Sequence, residues 1–163
     1  MRNLFSNGLA IFAGVVSLPV AGSHADAAKP ATNKHRNESI KDPRLAFLRT
    51  FFERGNCPAA KLSSTFLEAA DTNALDWRLL PSLSFIESTG GKAAKNNNMF
   101  GWDSGRAVFS SAAAGIRAVA SYLSHSALYR NKNVDGILRT YNTDAGYGRK
   151  VKAVMSQIAP EVD

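Results

Sequence analysis

Glu87 is the residue in this sequence whose surroundings suit it best for chemistry. At helical spacing its neighbours at i−4 and i−7 are Leu83 and Leu80, with Ile86 and Leu79 beside them. The carboxylate therefore stands on, or at the edge of, an apolar face. Gly90 and Gly91 close the segment just beyond it. That places Glu87 in a last helical turn, where the negative end of the helix dipole disfavours another negative charge. Desolvation and the dipole both favour the protonated form, which is what a general acid needs near neutral pH. The structural alternative is a buried carboxylate satisfied by an arginine such as Arg78 or Arg106.

Two further segments carry usable side chains. Asn96-Asn97-Asn98-Met99-Phe100-Gly101-Trp102 combines amides, a glycine that lets backbone approach a ligand, and two flat rings. Sugars are recognised by this mixture, with rings against C–H faces and amides against hydroxyl and N-acetyl groups. Asn97, Asn98, Phe100, Gly101, Trp102 and the following Asp103 are thus candidate substrate contacts, although Phe100 reads more readily as a core ring. The second segment is Tyr141-Asn142-Thr143-Asp144-Ala145-Gly146-Tyr147. Its Thr-Asp turn can cap a final helix, and a tyrosine hydroxyl from it can reach a cleft. Asp103 and Asp144 are the candidates for a second carboxylate, and Asp103 also fits a plain turn in Asp103-Ser104-Gly105.

Composition narrows the chemistry further. The single cysteine, Cys57, excludes an intramolecular disulfide framework and a Cys-rich zinc site, and the three histidines lack metal-ligand spacing. No metal and no cofactor is expected. Twenty basic against thirteen acidic residues give a net charge of +7 over 163 residues, suited to anionic partners without choosing among them. Lysines and arginines are spread along the chain rather than run together, which argues against nucleic acid.

The elements that must position these residues read as helices. Residues 1–25 have a signal-peptide pattern: Arg2, an apolar run from Leu9 to Val20, then small residues through Ala25 and Ala27. The run is shorter than the roughly 20 residues that span a bilayer, so no stable membrane insertion is expected after cleavage. Residues 26–41 form a polar, Ala/Lys/Asn-rich leader, and one domain is expected over 42–163. Asp42-Pro43 opens a first helix carrying Leu45, Leu48, Phe51 and Phe52, ended by Gly55-Asn56. Cys57-Pro58 opens a second through Leu62, Phe66, Leu67 and Ala70. Asp76 is expected to cap a third from Trp77 to about Ser88, with Pro81 in its early turns. Lys92–Ser110 is irregular with room for a short hairpin, and Ser110 or Ser111 caps a fourth helix through Leu123. Val134–Tyr141 and Gly146–Ile158 complete a mainly α chain.

Glu87 in Phe-Ile-Glu-Ser-Thr-Gly-Gly, then Asn-Asn-Asn-Met-Phe-Gly-Trp, then Tyr-Asn-Thr-Asp-Ala-Gly-Tyr resemble, in order and spacing, the glucosaminidase family of peptidoglycan hydrolases. That family is glycoside hydrolase family 73 of the lysozyme-like superfamily. The resemblance runs from about Leu75 to Ile158. It implies a lysozyme-like single domain, catalysis by Glu87 with Tyr147 in support, and a groove around Asn98, Phe100 and Gly101. The family commonly has Gly-Trp-Gly after Glu-Ser, where this chain has Thr89-Gly90-Gly91, so one groove-lining ring is missing. The expectation is a secreted or periplasmic, monomeric cell-wall glycosidase, with peptidoglycan glycan strands as partner and Tyr141 among its substrate-binding residues. The alternatives are a lytic transglycosylase with the same acid and a non-catalytic peptidoglycan-binding module.

Overall fold

The computed structural model describes residues 42–160. The expected signal peptide and leader lie outside the described residues. Within them the protein is mainly α, with an isolated antiparallel bridge, Lys95 to Asn98, in place of a sheet. None of these helices is long and apolar enough to cross a membrane.

Helix α1 is Pro43–Arg54. Asp42 caps it, its carboxylate accepting from the Arg44 N–H at 2.9 Å, and Pro43 stands where an N–H is not needed. The Arg44 guanidinium spans Asp42 and, at 2.8 Å, Asp71, pinning the start of α1 to a segment 27 positions on. The second expected helix is divided: a 3-10 turn over Pro58–Leu62 leads into α2, Ser63–Thr72. The break falls where the Ser63 hydroxyl donates to the Ala60 carbonyl at 2.9 Å, a local bond that competes with a continuous helical ladder.

Helix α3 is Leu79–Ser88, two residues shorter at its start than expected. Asp76 instead organises the turn before it, accepting from the Arg78 N–H at 2.9 Å through its side chain and from the Leu79 N–H at 2.9 Å through its carbonyl. The reason is Pro81. A helix begun at Trp77 would ask Pro81 for an N–H it lacks, whereas a start at Leu79 puts it in the first turn, where no donor is required. Buried residues run around α3 from Leu79 to Ser84, as suits a helix enclosed by others.

Helix α4, Ala112–His125, is capped by Ser111, and α5, Val134–Tyr141, by Asn133. Helix α6, Tyr147–Ile158, follows a turn in which the Asp144 carboxylate accepts from the Gly146 N–H at 2.8 Å. Helix α3 packs chiefly on α6, and α2 on α4. Arg78, before α3, donates to the Ala159 carbonyl beyond α6, while Glu87 at the other end of α3 meets Tyr147 at the start of α6. The two helices are therefore antiparallel. Leu79, Leu80 and Leu83 join Phe52, Phe66, Ile116, Leu138 and Val151 in one core cluster.

Candidate active site

The antiparallel packing of α3 on α6 brings Glu87 and Tyr147, sixty positions apart in sequence, into contact. The Tyr147 hydroxyl donates to Glu87 Oε1 at 2.6 Å. Burial raises the Glu87 carboxyl above its ordinary value, and the tyrosine hydrogen bond pulls it part of the way back. Tyr147 is pushed far up by burial and then by Tyr141 and Glu87, so it stays a donor. The arginines that could have neutralised Glu87 are engaged elsewhere, Arg78 with Asp76 and Arg106 with Asp103, each at 2.7 Å. The partner of this carboxyl is a neutral hydroxyl. The positive end of the α6 dipole lies on the Tyr147 side and opposes the negative end of α3.

The end of α3 is built to release the chain sharply. Thr89 adopts the left-handed conformation (φ 53°) and Gly90 follows it (φ 59°). A Cβ on Gly90 would stand 2.8 Å from that of Cys57, closer than real side chains approach, so glycine is required twice over. Ser88, which has no chemical role in the sequence reading, is the joint of the site. Its hydroxyl donates to the Met99 carbonyl at 2.8 Å and accepts from the Gly91 N–H at 3.1 Å, tying the helix end to the loop that follows.

That loop returns over Glu87. Asn96 and Asn97 both take positive φ (53° and 59°) between the bridged residues Lys95 and Asn98, the geometry of a two-residue hairpin turn. The Asn97 amide donates to the Phe109 carbonyl at 2.9 Å. Asn98, 4 % exposed, donates to the Trp102 carbonyl and accepts from the Trp102 N–H, both at 2.9 Å, closing residues 98–102 into a ring. The asparagine run thus serves backbone turns, and the buried Asn98 side chain presents no surface to a sugar. Phe100, expected at the groove, is 1 % exposed, with its ring tilted edge-on to Phe66 in the core. Asp103 has positive φ (51°) and is bonded by Arg106 at 2.7 Å, so the turn reading accounts for it. Asp144 acts in the turn before α6. Neither is the close partner of Glu87.

Gly101 and Trp102 fare otherwise. Gly101 is exposed with φ +62°, and a Cβ there would stand 3.1 Å from Glu87 Oε2. Bare backbone therefore covers the acid. Trp102 is half-buried, its ring tilted against that of Tyr141 with centroids 5.9 Å apart. The Tyr141 ring stacks on Tyr147 at 5.9 Å, and its hydroxyl donates to the Phe100 carbonyl at 2.7 Å. Tyr141 thus braces the tyrosine that touches Glu87 while holding down the loop. Among the described residues no group of three or more His, Cys, Asp or Glu side chains is placed to hold a metal ion.

No protein-family model, curated protein or solved structure matches the chain.

Proposed function

We propose that the protein is an exported, lysozyme-like glycosidase that cuts the N-acetylglucosamine/N-acetylmuramic acid backbone of peptidoglycan, acting as an endo-β-N-acetylglucosaminidase. The observation that carries this reading is the Glu87–Tyr147 pair, a carboxyl raised by burial, bonded to a hydroxyl rather than a cation, under the open backbone of Gly101. Its supports are the motif order that resembles the glucosaminidase family and the mainly helical fold.

In this mechanism protonated Glu87 gives its proton to the glycosidic oxygen as the bond to the sugar carbon breaks. Asp103 and Asp144 are occupied, so the developing cation is met by the substrate itself, through the oxygen of its N-acetyl group. Water then opens that intermediate, with the Glu87 carboxylate taking the proton. The engagement of both aspartates equally favours a second reading, the lytic transglycosylase. There a muramic-acid hydroxyl closes an anhydro ring in place of water, with Glu87 again the only carboxyl required.

Digestion of purified peptidoglycan followed by mass spectrometry tests both. Reducing N-acetylglucosamine ends are the expected product, and anhydro-muramic ends would establish the second reading. Reducing muramic-acid ends would keep the acid but move the bond cut. No release of fragments would leave a peptidoglycan-binding module.

A further inference from the structure

The aromatic contacts at Glu87 continue beyond the residues the sequence singled out. Trp102 meets not only Tyr141 but also Tyr122 of α4, ring centroids 5.1 Å apart and edge to face at 78°. Tyr122 in turn stands 5.9 Å from the buried Tyr129. The rings thus form a series, Tyr147, Tyr141, Trp102, Tyr122, whose exposure increases away from the acid. Tyr147 is buried, Tyr141 and Trp102 are half-buried, and Tyr122 is 38 % exposed.

We propose that Tyr122, together with Trp102, is a platform for sugar units of the glycan strand distal to the bond that is cut. This deepens the glycosidase reading and rests on it. Three observations converge. Among the described residues, Tyr122 is the exposed large apolar side chain whose ring touches that of Trp102. Tyr129 backs it from the core side, so the ring is held in place before any ligand arrives. It also comes from a different element than the catalytic helix and the Gly101 loop, which lets a strand of several sugars touch both. A pyranose offers C–H groups that pack on such rings, with hydroxyls left to water.

The test uses the full-length Glu87→Gln protein, in which cleavage should be too slow to interfere, and β-1,4-linked N-acetylglucosamine oligomers of three and six units, with binding measured by calorimetry. The parent should bind the hexamer more tightly than the trimer. Tyr122→Ala should weaken hexamer binding by about three- to tenfold and leave the trimer unchanged. Tyr122→Phe should bind as the parent does. Tyr122→Leu keeps apolar bulk against Tyr129 without a flat face, so it should lose hexamer affinity even if the alanine protein folds poorly. A folded leucine variant with parental affinity for both oligomers would overturn the platform while glycan binding stands. A parent that binds neither oligomer would overturn the glycosidase reading and the platform with it.

Discussion

Glu87 is under two opposing influences, burial that favours its protonated form and a Tyr147 hydrogen bond that favours the charged one. Burial prevails, and four outcomes follow. Glycan cleavage should decline as pH climbs through the raised Glu87 value, measurable as the basic limb of kcat/KM. Tyr147→Phe removes the influence that lowers this value, so that limb should move to higher pH. A tyrosine with only a packing role would leave the limb in place. Glu87→Gln should reduce cleavage by about 10²–10⁴-fold. It should also raise stability near neutrality. A carboxyl whose folded value lies above its unfolded one contributes fully at acidic pH, and that contribution is lost as pH climbs through the folded value. The amide has no such loss. Thermal melts should show Glu87→Gln above wild type at neutral pH, with the gap closing as pH falls through the ordinary glutamate range.

The segment between α3 and α4 works through its joints more than through its surface. Ser88→Ala strands the Met99 carbonyl and the Gly91 N–H in a buried setting, at a cost of about 1–3 kcal/mol. It should loosen the Gly101 backbone over Glu87, so activity should fall by more than the stability loss explains, as turnover at temperatures well below the melt would reveal. Much of this region was legible in the sequence. Apolar spacing located Glu87 at the end of its helix, and Gly90-Gly91 marked the exit. The asparagines read two ways in sequence because turn geometry and sugar recognition both select Asn; in the structure Asn96 and Asn97 take positive φ, and the side chains of Asn97 and Asn98 bond to backbone. Tyr122 is silent in the sequence because it stands alone on α4, and its contact is with a ring twenty positions earlier. Ser88 had a faint signal in the Glu-Ser pair. The start of α3 could have been read from Pro81, since a proline in a helical segment belongs in its first turn.

At the scale of the whole molecule, α3 acts as a spindle. It is clamped to α6 at one end by Arg78 on Ala159 and at the other by Tyr147 on Glu87, so the acid is held by the packing of the core. Export should deliver this domain with an amino terminus at Asp26 or Ala28. Sequencing of the released protein checks this, and retained Arg2 or Asn3 would speak for an anchored form. Were the chain exported as proposed, its single cysteine would meet oxidants, and here the packing around Gly90 matters in another way. Cys57 is 4 % exposed, its thiol raised by burial and wedged against the glycine that lets the chain leave α3. A bulky thiol reagent reaches it only when that wedge parts. The labelling rate of Cys57 under native conditions is therefore a clock for transient opening of the turn that follows Glu87. A sugar bound across Gly101 and Trp102 should slow it.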